Sequence, residues 1–335
     1  GAENAKKIYD LLGINAIEQI ESNPYILIDM ARGVDFKQID QMALKLGISY
    51  DNQKRVESGI KYGLIKATYN GHSCVIKQNL IEYVISLLDV TTEAVEDNII
   101  NLKAKDEIYV ETRDSSEWIY LKNFYNVEKE IATRIIRLDK SKNVKKIEHI
   151  ENALKGVEKK SNIELSKKQR EAVLSINDSN VTIITGGPGT GKTTIIKTII
   201  DLFEERKKKV VLTAPTGRAA KKMTEATGRE ASTLHRLLGI GKLDDEGIYS
   251  RHSDYKGEPI DADLIVVDEL SMVDMFIMDY LLNCIYQGTK LILVGDVDQL
   301  ASVGPGSVLK DLINSETINT VKLDKIFRQA AKSKI

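Results

Sequence analysis

The chain has 335 residues, 48 Lys and Arg against 49 Asp and Glu, a formal net charge of −1 and 42% hydrophobic residues. That length accommodates about two domains with real cores, and the near-neutral balance gives no global basic field, so any nucleic-acid site must be a local patch. The two cysteines, Cys74 and Cys284, cannot build a disulfide framework or a four-ligand zinc site, and no apolar run approaches the ~18 residues of a membrane span. A reducing, cytoplasmic setting with no membrane association is therefore expected. The chain opens on Gly1-Ala2 without a methionine or a signal peptide, which suggests an excised piece.

In chain order, Asn23-Pro24-Tyr25 comes before Arg32-Gly33-Val34-Asp35-Phe36, a pattern like a helix-hairpin-helix turn. Asp35 stands where such a hairpin usually has its second glycine, and a carboxylate there disfavours a DNA phosphate. Phe36, Ile39, Met42, Ala43 and Leu46 fall at helical spacing, as do Leu80, Tyr83, Val84, Leu87 and Leu88. Thr92 reads as an N-cap before a helix carrying Val95, Ile99 and Leu102. Two strand-like runs, 107–111 and 117–121, flank Arg113-Asp114-Ser115-Ser116. Helix, helix, hairpin resembles a winged-helix unit, which serves DNA binding or protein contact, and Trp118 reads as a packing residue. Residues 139–162, rich in Lys, Glu and Asn, read as a solvated helix and linker, with a basic DNA-facing arm as the alternative.

From residue 163 the periodicity becomes α/β. Strand-like runs at 181–185, 210–213, 264–267, 291–294 and 320–323 alternate with helical patterns, which implies a parallel sheet covered on both faces. The expected organisation is a mainly helical domain over 1–138, a charged linker over 139–162 and a nucleotide-binding core over 163–335.

The chemistry sits at the strand ends. The stretch Gly186, Gly187, Pro188, Gly189, Thr190, Gly191, Lys192, Thr193 is a complete G-x-x-x-x-G-K-[ST] phosphate loop, followed by Thr194 and an apolar helix. Glycines let backbone N–H groups crowd a phosphate, and the helix N-terminus adds positive potential. Lys192 is placed to reach the β- and γ-phosphates of ATP, and the Thr193 hydroxyl to ligate Mg²⁺. The run Leu264-Ile-Val-Val ends in Asp268 and Glu269: the first suits the Mg²⁺ ion, the second a proton from attacking water. Gln299, in Gly295-Asp-Val-Asp-Gln, is a candidate sensor of the γ-phosphate, and Arg328 a candidate arginine finger.

These motifs form a longer series: Leu165-Ser-Lys-Lys-Gln169, Gly186–Thr193, Ala214-Pro-Thr-Gly-Arg-Ala-Ala220, Ser232-Thr-Leu-His-Arg-Leu237, Asp268-Glu-Leu-Ser-Met-Val-Asp274, Gly295–Gln299 with Ser302-Val-Gly-Pro-Gly306, and Ile326-Phe-Arg-Gln-Ala330. The series resembles superfamily 1 DNA helicases of the RecD/TraA type, also called exodeoxyribonuclease V alpha-subunit-like, with weaker similarity upstream of residue 163. The resemblance implies a RecA-like fold and 5′ to 3′ movement on single-stranded DNA and at single-strand/duplex junctions. A role in DNA repair or recombination follows from it, with other repair proteins as partners. It also implies that Gln169 recognises adenine and that Pro215, Thr216, Arg218 and His235 lie in DNA-contacting segments. The alternative for Thr216 and Arg218 is capping of the following helix. Ala301 and Leu270 depart from the family pattern at places peripheral to the phosphates. No nuclease-like carboxylate cluster is present in the sequence. Such helicases complete the ATP site with a second RecA-like domain; the chain stops soon after Arg328, so weak turnover is expected of it alone.

The polar stretch between Leu238 and Pro259 is expected to form a small hairpin insertion near 239–259, either a strand-separating wedge or a surface loop without a role. The alternatives to a helicase are a phosphate-loop ATPase without unwinding activity and a DNA-binding regulator with a degenerate nucleotide site.

Overall fold

The computed structural model describes residues 6, 9–10, 12–30, 35–142, 146–240, 257–299 and 301–323. The chain forms two units, residues 1–126 and 127–335.

The first unit is helical with one small sheet. Its helices are α1 (Ala16–Ser22), α2 (Ile26–Met30), α3 (Phe36–Lys45), α4 (Gln53–Thr68), α5 (Lys77–Leu88) and α6 (Thr92–Ala104). The strands β1 (Cys74–Ile76), β2 (Ile108–Arg113) and β3 (Ser116–Leu121) pair antiparallel in the order β1-β3-β2. Alternation decides the two faces of this sheet. Ile108, Val110, Ile119 and Leu121 join the apolar core, together with Leu80, Val84 and Leu88 of α5. Trp118 lies at half exposure with the Arg113 guanidinium 5.1 Å above its ring, a packing role as expected.

Two residues near the chain start have definite local jobs. Tyr25 is buried, and its hydroxyl donates to Asp40 Oδ1 at 2.6 Å, while Arg55 holds the same carboxylate through Nε and Nη2, both at 2.8 Å. Asp35 is the N-cap of α3, its side chain accepting from the Lys37 N–H. The carboxylate at that unusual position thus satisfies a helix end. The expected cap of α6 shifts by one residue: Thr91, not Thr92, accepts from the Ala94 N–H, and Thr92 is the first helical residue.

Helix α7 (Lys122–Asp139) carries the chain from the first unit into the second. In the second unit follow α8 (Ile150–Ser161), α9 (Lys167–Ser175), β4 (Val181–Gly186), α10 (Lys192–Glu204), β5 (Val210–Ala214), α11 (Gly217–Thr227), β6 (Ala231–Thr233), α12 (Leu234–Leu237), β7 (Leu264–Val267), α13 (Met275–Asn283), β8 (Lys290–Gly295), α14 (Val308–Asn314) and β9 (Asn319–Leu323). The six strands form one sheet in the order β6-β5-β7-β8-β4-β9, and every pair is parallel. β7 and β8 are buried along their whole length, as the apolar runs Leu264–Val267 and Leu291–Val294 in a two-sided sheet must be. The architecture is therefore α/β, a parallel sheet between helices, after a mainly helical first unit.

The segment read as a linker contributes to this core. Ile147, Leu154 and Val157 are buried in one cluster with Ile184, Ile199, Val266 and Ile292, while Glu151, Asn152 and Lys155 face solvent. The base of β4 is tied to the end of α7. Asn180 Nδ2 donates to the carbonyls of Leu138, Asp139 and Ser141, and Asp139 Oδ1 accepts from the Asn180 and Val181 N–H groups.

Candidate functional site

All six parallel strands point their C-terminal ends to one edge of the sheet, and the loops leaving that edge carry the chemistry. β4 ends at Gly186, which packs so tightly on β9 that an added Cβ would lie 2.8 Å from the Leu323 carbonyl oxygen. The turn then needs left-handed backbone at Gly189 (φ 77°) and Gly191 (φ 89°) before α10 begins at Lys192. A side chain at Gly191 would also collide with Gln169 Nε2.

The loop, together with α9, α11 and the ends of β7 and β8, encloses an open cleft of about 690 Å³. Gln169, Gly187, Pro188, Gly189, Thr190, Gly191, Lys192, Thr193, Thr194, Asp268, Glu269 and Gln299 all line it. Gly186 lies beneath it. The fold thus brings together residues as far apart as 169 and 299. Lys192 Nζ donates to the Gly186 carbonyl and, at 3.1 Å, to that of Gly187, so the ammonium stands inside the loop.

Asp268 is half-buried, and desolvation raises its pKa above the usual carboxylate value. The Glu269 charge pushes the same way, while the Glu269 N–H donated to Oδ1 at 2.9 Å and the charges of Lys192 and Lys222 oppose it. Glu269 adopts a left-handed conformation at φ 54°, which costs a side-chain-bearing residue about 1–3 kcal/mol. That strained turn takes the chain off the strand end and into the 3₁₀ turn Leu270–Met272. Gln299 is held by Asp296: its Nε2 donates to Oδ2 at 3.3 Å and its N–H to the Asp296 carbonyl at 3.2 Å.

Gln169 is the N3 residue of a capping box. Its Oε1 accepts from the Ser166 N–H, Ser166 Oγ accepts from the Gln169 N–H, and Nε2 reaches the Thr190 carbonyl at a long 3.4 Å.

The residues assigned to DNA lie elsewhere on the same edge. Pro215, Thr216 and Arg218 follow β5, and His235 follows the neighbouring β6; β7 and β8 separate them from the loop after β4. Thr216 is the N-cap of α11, accepting from the Ala219 N–H at 3.2 Å, so the capping alternative holds for that side chain. Arg218 is exposed and His235 half-exposed. Arg328 and most of the 239–259 insertion, residues 241–256, lie outside the described residues.

Sequence reasoning missed part of the cleft wall. Lys222, Met223, Ala226 and Thr227 line it from α11, and Asn162, Ile163 and Glu164 from the turn before α9. The i, i+4 pairs Lys222/Ala226 and Met223/Thr227 were a visible signal, since they share one side of a helix. Among the described residues, no group of three or more His, Cys, Asp or Glu could cage a metal, so an ion here would rely on one or two protein ligands and on phosphates. No helix among the described residues is long and apolar enough to cross a membrane.

The chain resembles proteins described as DNA helicases. Residues 169–305 match a family model described as an AAA domain, and residues 1–74 match the HHH domain of the ATP-dependent RecD2 DNA helicase. The ATP-dependent RecD2 DNA helicase of Deinococcus radiodurans is 32% identical over 341 residues, covering 99% of this chain and 46% of that protein. The RecBCD enzyme subunit RecD of Mycolicibacterium smegmatis is 39% identical over 170 residues, covering 44% of this chain and 30% of the relative. A crystal structure of Pif1 helicase from Candida albicans aligns at 27% identity and a TM-score of 0.36, over 50% of this chain and 41% of that one. The chain spans less than half the length of these curated relatives. By these matches, the chain is a relative of the RecD and RecD2 helicases.

Proposed function

We propose that this chain forms the nucleotide-binding core of an ATP-dependent DNA helicase or translocase of the RecD type. One observation carries the reading: Lys192, Thr193, Asp268, Glu269 and Gln299 converge on one cleft from three strand ends. The residues fit a magnesium nucleotide. The loop presents left-handed glycines and a helix start to phosphates, and the cleft is large enough for a nucleotide. Thr193 and Asp268 would hold Mg²⁺, which when bound supplies charge neutralisation at the phosphates.

In this reading Lys192 exchanges its two loop carbonyls for the β- and γ-phosphates of ATP. Glu269 takes the proton of the attacking water, and Gln299, kept in place by Asp296, senses the γ-phosphate. The base lies at the end of the cleft formed by Asn162, Ile163, Glu164 and Gln169. The weak 3.4 Å contact from Gln169 Nε2 leaves that amide free to turn to adenine. Arg328 acts as an arginine finger. Arg218 and His235 grip single-stranded DNA 5′ to 3′, with Pro215 and Thr216 shaping the turn, and the 239–259 insertion is the wedge at a duplex junction. The functional division proposed is a helical part over 1–138 and an ATPase core over 163–335, with 139–162 packed into that core instead of forming a free linker, and repair or recombination proteins are the partners.

The test is nucleotide binding and turnover in Glu269→Gln and Lys192→Ala. Glu269→Gln keeps Mg²⁺–ATP binding and loses hydrolysis, and Lys192→Ala loses both. Hydrolysis that survives Glu269→Gln removes that residue from the reaction.

A further inference from the structure

A second cavity lies on the opposite edge of the sheet. It is partly open to solvent, about 40 Å³ in volume, and is lined by Lys146, Arg206, Lys208 and Lys290 and by one carboxylate, Asp263. Lys290 is the first residue of β8, whose last residue, Gly295, borders the nucleotide side. At a rise of about 3.3 Å per residue the two edges are roughly 16 Å apart, so phosphates in the nucleotide cleft do not reach this cavity.

The one carboxylate is already engaged. Asp263 Oδ1 pairs with Lys208 Nζ at 3.2 Å, and Oδ2 accepts from the Lys209 N–H at 2.9 Å. Arg206 Nη1 donates to the Leu202 carbonyl at 2.8 Å, and neither Arg206 nor Lys146 has a carboxylate partner among the described residues. Lys290 is only 3% exposed. Its ammonium donates to the Ile176 carbonyl at 2.5 Å and to the Ser179 carbonyl at 3.0 Å, which commits two of its three N–H bonds. Burial pushes its pKa down to about 8; Lys146 adds to the depression, and Asp178 and Asp139 oppose it. Helix-end carbonyls hold Arg206, just past α10, and Lys290, at the end of α9, and Lys146 is exposed; capping leaves unaccounted only the third N–H of Lys290, buried in a strand.

We propose that this cavity is a second anion site, built for a phosphate group held by Lys146, Arg206 and the remaining N–H of Lys290. Size selects the ligand. A water needs about 10–15 Å³ of such space, so the cavity holds the equivalent of roughly three waters, a small oxyanion and not a nucleotide. Inorganic phosphate and a phosphate of a nucleic-acid strand share that chemistry.

The experiment titrates the whole chain with inorganic phosphate in a Lys192→Ala background, which takes the phosphate loop out of the readout. Amide NMR shifts at Lys208, Gly288 and Lys290 are followed at constant ionic strength. The expected result is a saturable shift, weakened at least about tenfold when Lys146→Gln and Arg206→Gln are added together, as for loss of charge-assisted hydrogen bonds. Both side chains lie at the cavity mouth, and an unchanged melting temperature establishes that the double variant is folded. A short single-stranded oligonucleotide that displaces the phosphate identifies a strand phosphate as the ligand; one that leaves it bound identifies free phosphate. No saturable shift, or one that survives the double variant undiminished, overturns the site.

Discussion

Alanine at Gly304 tests how the segment after β7 is locked to the loop after β8. A Cβ on Gly304 would stand 2.7 Å from Asp274 Cβ and Cγ and closer still to Oδ2. Asp274 cannot simply withdraw, because its Oδ1 caps α13 by accepting from the Ile277 N–H at 2.9 Å. The neighbouring Met275 N–H is fixed to the Pro305 carbonyl at 3.1 Å, and α13 is buried from Met275 to Leu282. Losing the cap costs about 1 kcal/mol and overpacking a tight contact about 1–3 kcal/mol, so Gly304→Ala should destabilise the second unit by about 2–4 kcal/mol. For a unit of this size that is a fall in Tm of roughly 4–16 °C. Asp274→Ala alone should cost about 1 kcal/mol as a lost cap. Alanine at 274 keeps its Cβ at 2.7 Å but removes Cγ and Oδ2, so part of the clash is relieved and the double variant should cost less than the sum, with a coupling of about 1 kcal/mol. Urea unfolding of the four proteins, read by a probe in the second unit, measures the cycle. A wild-type midpoint for Gly304→Ala, or strict additivity, refutes the reasoning.

Asp268→Asn should raise Tm at pH 7. Burial raises the folded pKa of this acid, so its ionised form destabilises the fold above that pKa, and the penalty fades as pH falls through it. The gain should therefore shrink toward acid pH; a Tm at pH 7 no higher than wild type contradicts it. Arg218→Ala should weaken single-strand binding regardless of sequence and reduce the salt slope by about 1, whereas an unchanged slope takes Arg218 out of the interface. Asn180→Ala removes the shared donor of the Leu138, Asp139 and Ser141 carbonyls and should cost about 1–3 kcal/mol in urea unfolding; a loss below about 0.5 kcal/mol shows that water replaces it.

The cleft is legible in the sequence because the phosphate loop, the Asp268-Glu269 pair and the Gln299 segment each follow an apolar strand. The order Val181–Ile184, loop, Leu264–Val267, carboxylates already implies one parallel sheet, although β8 stands between β4 and β7 in space. β6 was hidden because Ala231–Thr233 is three residues long and has no apolar run. Leu154 and Val157 looked solvated because the charged residues around them outnumber them, and only the packing of α8 shows which side is inward. The Thr91 cap was missed by one residue, since two adjacent threonines are equally good caps in sequence. Ser166-Lys-Lys-Gln169 spells a capping box, a local role for Gln169 legible without any relative. Lys222 shares a helix side with Ala226, but its place in the cleft wall with Asp268 comes from long-range packing; Asp296 meets Gln299 within one turn whose geometry the sequence alone does not show.

The central claim is that the cleft hydrolyses ATP in response to DNA. It is tested most directly by steady-state ATP hydrolysis of the full-length protein with and without single-stranded DNA, beside its Glu269→Gln variant. The account predicts strong stimulation by DNA and its disappearance in the variant. Turnover indifferent to DNA, or preserved in Glu269→Gln, would contradict it.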